Sequence, residues 1–256
     1  MWNSDQDEEF FVGYAPPMPP RLARFVKRAV LTLGCSIFAW AFVVAAGHVP
    51  LEGGTFEFGH AKRVSGTIVE KPYPVLQPDE VDRTVAPWLL LVAPGKHGAD
   101  ALVRGLNGQH VTFTGTRIQR GPHSMIEVEP ASLVAQTSEP SAAEVSVAPL
   151  SGVQVDMTGE IVDSKCFLGV MVPGSGKTHK ECASLCLRGG IPPALGVHDR
   201  SGHSSLLLLT GASGEPIGAR ALQLAGEAVS MTGSVYRRGG WLILRTDPSS
   251  WRPVDR

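Results

Sequence analysis

Shifted against itself by 118 positions, this chain aligns without a gap: Leu89 to Pro130 lies on Leu207 to Pro248, and 12 of the 42 paired residues are identical. The identities include Leu89-Leu90-Leu91 with Leu207-Leu208-Leu209. They also include Gly108, Val111, Thr114, Gly115, Arg120 and Gly121 with Gly226, Val229, Thr232, Gly233, Arg238 and Gly239. Upstream, Ser65 to Glu70 resembles Thr158 to Asp163, now at an offset of 93, so the second copy carries 25 additional residues. A repeat of this kind signals one structural unit used twice.

Each copy reads as a first strand, a buried Leu-rich strand, a short Ala/Leu helix ending near Gly108 or Gly226, and two strands joined by a Gly-containing turn. In the second copy Ala194 to His198 supplies a further strand. A helix placed before the last two strands resembles the oligonucleotide/oligosaccharide-binding (OB) barrel. Pro72, Pro74, Pro78 and Pro87 interrupt the place where the second strand of copy one belongs, so that copy fits less well. The 29 Gly and 20 Pro of the chain favour short strands and turns over a helical bundle. The fold class expected is therefore mainly β, with two small OB-like barrels.

Ahead of the copies, Ala29 to Gly47 runs for 19 residues without a charge, close to the ~20 needed to cross the hydrocarbon of a bilayer. Arg21, Arg24, Lys27 and Arg28 precede it, and no Lys or Arg follows until Lys62. The positive-inside rule then leaves the N-terminus in the cytoplasm and the body in the periplasm, anchored to a bacterial inner membrane. A cleaved signal peptide ending at Val44-Ala45-Ala46 is the competing reading, and the length of the apolar run argues against it. The organisation expected is a cytoplasmic tail over residues 1–28, a transmembrane helix over 29–47, and a first OB-like domain over 60–133. A Ser/Ala/Glu/Pro-rich linker over 134–151 and a second OB-like domain over 152–252 follow. The formal net charge of -1, from 23 Lys plus Arg against 24 Asp plus Glu, removes the electrostatic case for nucleic acid as a partner.

The additional residues of copy two belong to an insertion, 163–193, that carries Asp163-Ser164-Lys165-Cys166 and His179-Lys180-Glu181-Cys182-Ala183-Ser184-Leu185-Cys186. On a helix, His179, Cys182 and Cys186 stand at i, i+3 and i+7 and share a face. Cys166 approaches from the end of the first strand. Cys166, His179, Cys182 and Cys186 match the ligand types and count of tetrahedral zinc, and the thiolates suit Cu(I) equally. Two other readings stay open: one disulfide with a spare thiol, since the compartment is oxidising, and a nucleophilic Cys182 or Cys186 with His179 as base. Ser175-Gly176-Lys177-Thr178 lacks the first Gly of a phosphate loop, because Met171 stands there, and Pro173 to Gly176 reads as a turn. Gly189-Gly190-Ile191-Pro192-Pro193 ends the helix. His60, His97, His110, His123, His198 and His203 have no ligand spacing, and Trp88, Trp241 and Trp251 read as core or seam.

The block from Asp163-Ser164-Lys165-Cys166 to Gly189-Gly190-Ile191-Pro192-Pro193 resembles a motif of uncharacterised bacterial membrane-anchored proteins with OB-like domains, which implies no established activity. A single span before a periplasmic OB barrel also looks like the haem chaperone of cytochrome c maturation. The His-x-x-x-Tyr motif of that chaperone is absent, and its function is not carried over. The sequence thus leads to a membrane-tethered metal-binding or redox-accessory module serving an envelope oxidoreductase or its assembly complex. A thiol-dependent enzyme and a disulfide-stapled interaction protein are the alternatives.

Overall fold

The computed structural model describes residues 18–47, 53–80, 86–136, 152–198 and 204–254. The chain divides into two compact units, Met1–Pro50 and Leu51–Arg256. In the first, α1 runs over Pro20–Gly47, 28 residues with none buried, long and apolar enough to cross a membrane. The helix therefore begins well before Ala29 and takes in Arg21, Arg24, Lys27 and Arg28, which the sequence reading had assigned to the tail. Pro20 opens it without cost, since the first helical residue needs no N–H partner. Thr32 and Ser36 return their hydroxyls to the carbonyls of Arg28 and Thr32, at 2.9 and 2.8 Å, so neither needs water. Residues 1–17 of the expected tail lie outside the described residues.

In the second unit the first barrel contains β1 (Thr55–Phe56), β2 (Lys62–Val69), β3 (Val75–Pro78), β4 (Leu89–Ala93), β5 (His97–Gly98), α2 (Asp100–Val103), β6 (His110–Arg120), β7 (His123–Val128) and β8 (Val134–Ala135). Strands β2, β3, β4, β7 and β6 close on themselves, with β4 and β7 parallel and the other pairs antiparallel. The prolines that obscured the second strand limit β3 to four residues but do not abolish it. All five residues of β4 are buried, as a continuous apolar run predicts for a strand covered on both faces. Val134 and Ala135 pair with β6, so the segment read as linker begins as a strand. Its residues 137–151 lie outside the described ones.

The second barrel contains β9 (Val153–Asp163), α3 (Lys180–Arg188), β10 (Pro193–His198), β11 (Ser204–Thr210), α4 (Ala219–Gln223), β12 (Ala228–Arg238), β13 (Trp241–Thr246) and β14 (Arg252–Pro253). Strands β9, β10, β11, β13 and β12 close in the same order, again with the third and fifth parallel. Strands β6, β7 and β8 of the first barrel and β12, β13 and β14 of the second begin and end 118 residues apart. Alternating burial and turn glycines are local determinants, so both copies place these elements alike.

Each barrel has its own apolar core, the first around Leu76, Leu91 and Phe113, the second around Ile161, Leu209 and Trp251. A third cluster joins them, with Tyr73, Leu90 and Met125 meeting Phe167, Leu208 and Trp241. Polar contacts cross the same boundary. The Tyr73 hydroxyl donates to the Leu209 carbonyl at 2.5 Å and accepts from the Ile217 amide at 3.2 Å. The Trp241 indole donates to the Trp88 carbonyl at 2.8 Å. Gly239, with φ +55, lies so close to Trp88 that a Cβ would fall 2.1 Å from the indole. The barrels are thus packed against each other through a shared core, where the sequence had suggested separate domains.

Candidate metal centre

The insertion of the second barrel leaves β9 at Asp163, makes a helical turn over Cys166–Val170, and returns through Lys177–His179 into α3. The predicted helix is present, with Gly189 at its cap and Gly190 in the left-handed region at φ +89. Cys166, His179 and Cys186 are buried and Cys182 is partly open. The sulfur of Cys166 lies 3.9 Å from that of Cys182 and 4.0 Å from that of Cys186. Two sulfurs bound to one tetrahedral zinc at about 2.3 Å stand about 3.8 Å apart, so both separations suit a shared ion. The cysteines are not bonded to one another.

Two overlapping sets have ligand atoms within 4.8 Å of one another: Cys166 with His179 and Cys182, and Cys166 with Asp163 and Cys186. Cys166 is the common member. His179 and Cys186, expected as ligands of one ion, fall in different sets, because helical spacing puts them almost two turns apart. A carboxylate that the sequence reading gave no role, Asp163, enters instead.

Asp163 is fully buried and acts twice. Its Oδ2 lies 2.9 Å from His179 Nε2, and its Oδ1 accepts the Cys166 amide at 2.8 Å. A carboxylate behind a histidine fixes its tautomer and leaves the other nitrogen to a metal. That nitrogen, Nδ1, lies 3.1 Å from the Met171 thioether, a further soft donor at the rim.

The first barrel supplies a cation. Lys96, in the turn between β4 and β5, donates to Cys182 Sγ at 2.7 Å and approaches Cys186 Sγ at 3.9 Å. The bond to Cys182 holds the ammonium above its usual pKa. Cys186 is held below the ordinary thiol range, first by the hydrogen bond with Cys166 and further by Lys96. The same Cys166–Cys186 bond, with burial and the charge of Asp163, pushes Cys166 upward.

The turn that carries Lys96 is fixed from two sides. Lys165, 2% exposed, donates to the carbonyls of Ala93 and Gly95 at 2.9 and 2.6 Å and pairs with Glu127. On the other side the Gly98 amide donates to the Gly189 carbonyl at 2.9 Å. A Cβ on Gly189 would stand 1.7 Å from the Lys96 carbonyl oxygen. Thus Asp163, Lys165 and Gly189, noticed only as parts of a motif, orient the histidine, clamp the neighbouring barrel and admit its turn. Lys96 and Glu127 carried no signal, since the residues aligned with them in copy two are Gly214 and Arg245. Ser175 to Thr178 forms no anion cradle: the Gly176 amide is taken by Glu160 at 2.5 Å.

No protein-family model matches the chain, and no curated protein resembles it at a significant level.

Proposed function

We propose that this protein is a membrane-tethered, non-catalytic module that binds zinc or Cu(I) in the periplasm around Cys166, whose sulfur is grouped with His179 and Cys182 and stands beside Cys186. It would serve an envelope oxidoreductase or its assembly complex. The carrying observation is the position of Cys166 Sγ, 3.9 and 4.0 Å from two further sulfurs and grouped with His179. Four basic residues on the N-terminal side of the apolar segment support a cytoplasmic N-terminus. We read both barrels as OB-like, since each closes five strands with the third and fifth parallel and a helix before the fourth. In that reading the cluster lies in the loop between the first two strands, a place where OB barrels bind ligands. Elemental analysis of the full-length protein, purified from membranes without chelators, tests the proposal together with a thiol count. About one zinc or copper per chain is expected, and a metal-free protein with a disulfide and one exported free thiol would reject it.

One observation favours a thiol-dependent enzyme as the second reading. Asp163 orients His179, supplying the third group that a Cys–His nucleophile needs. Against it, among the described residues no hydrogen bond joins His179 to Cys182 or Cys186. Stoichiometric labelling by iodoacetamide that is fastest at Cys182 or Cys186, and that slows in His179→Ala, would favour this reading over the metal.

A further inference from the structure

A second feature, independent of the metal reading, lies on another part of the barrel boundary. A cleft of about 480 Å³ opens between the end of β6 and the start of β7 on one side and the Phe167 turn, β11, β12 and β13 on the other. That volume is within the range of small-molecule sites, roughly 300 to 1,000 Å³. Its described lining includes two guanidinium groups, Arg120 and Arg237, and no carboxylate. Leu206 and Leu242 supply apolar wall, and Ser205 stands at the margin.

The charges differ in how firmly they are held. Arg120 lies 4.3 Å over the Phe167 ring and donates to the Phe167 carbonyl at 3.0 Å and to Ser204 Oγ at 3.2 Å. It is a fixed element of the wall. Arg237 is exposed, and its hydrogen bond among the described residues is a 3.4 Å contact to the Gly240 carbonyl. Its fork retains donors for a planar or tetrahedral oxyanion. The His123 ring stacks on Trp241 at 4.7 Å. Burial pushes its pKa down to about 4, so it adds a flat neutral surface at physiological pH.

We propose that this cleft binds a small organic anion, with its carboxylate or phosphate on Arg237 and its apolar body against Leu206, Leu242 and the His123 ring. A neutral ligand would leave the guanidinium without its best partner. A bare inorganic anion would leave the apolar wall wet.

Isothermal titration of the full-length protein in nanodiscs with benzoate and phenyl phosphate, using benzyl alcohol as the neutral counterpart, tests this. At least one of the anions is expected to bind more tightly than the alcohol, and whichever binds shows whether the site takes a carboxylate or a phosphate. Arg237→Gln should weaken that binding about tenfold, the loss expected for one charge-assisted contact. Ser205→Trp, which fills the mouth from an exposed strand position, should abolish it without moving the thermal midpoint. Failure of both anions to bind, equal binding of benzyl alcohol, or unchanged affinity in Arg237→Gln would overturn the proposal. Empty nanodiscs titrated in parallel remove the contribution of lipid.

Discussion

The ammonium of Lys96 lies 2.7 Å from the sulfur of Cys182, and the two residues belong to different barrels. The candidate metal centre is thus carried by the second barrel and completed electrostatically by the first. That contact adds a polar link to the apolar packing of the barrel boundary.

Replacing Lys96 by Leu removes the charge-assisted bond to Cys182 without adding a donor. Outer-shell partners of this kind are worth about 10- to 100-fold in metal affinity, and the variant is expected to lose affinity within that range. Chelator competition on purified full-length protein measures it. The fold should persist, since the Lys96 side chain is mostly outside the core, and an unchanged affinity would deny Lys96 any part in the site.

Asp163 separates two roles by substitution. Asp163→Asn keeps an acceptor for the Cys166 amide but removes the carboxylate charge behind His179, so metal affinity should fall about 10- to 100-fold with little change in folding stability. Asp163→Ala also strands the Cys166 amide, a buried donor, and should cost about 1–3 kcal/mol in addition. Denaturant titration alongside chelator competition distinguishes the two variants.

Gly189→Ala tests the clamp around the Lys96 turn. The backbone of Gly189, with φ -78 and ψ 1, accommodates alanine, so any cost comes from the methyl group meeting the Lys96 carbonyl. Forced displacement in a packed boundary costs about 1–3 kcal/mol. A lower thermal midpoint is expected, accompanied by the same loss of metal affinity as Lys96→Leu, because the turn must retreat. Loss of stability with full metal affinity would show that the turn yields elsewhere.

Acid sensitivity should trace in part to His123. Its folded pKa of about 4 lies below the ordinary histidine value of about 6.5. Between those values the unfolded chain binds a proton that the folded one refuses, so stability is fully present above about pH 6.5 and falls as pH drops towards 4, by on the order of 3 kcal/mol. His123→Gln should flatten that part of the stability profile, as read from urea midpoints between pH 7 and pH 4. An identical slope in both proteins would assign the acid loss to other groups.

How much of this was readable beforehand depends on the range of the forces involved. Alternating apolar residues and turn glycines act over a few positions, and they placed β6 and β7 against β12 and β13 at one offset. Helical periodicity brought His179, Cys182 and Cys186 to one side of α3, and the residues before Cys166 marked where the strand ends. The same local logic misjudged the start of α1, because four cations end an uncharged run without ending a helix. It also hid β3, whose four residues are held by pairing with β2 and β4 more than by their own pattern.

From its order of residues alone, this protein is determined to have an apolar segment long enough to span a bilayer, two similar β units, and a Cys/His insertion in the second. Docking of those units was decided only in three dimensions. Lys96 reaches Cys182 across 86 positions because Gly189 leaves room for its turn and Lys165 holds the adjacent carbonyls. Glu127 finds Lys165 for the same reason. Such contacts depend on shape complementarity between surfaces distant in the chain, and no periodicity encodes them.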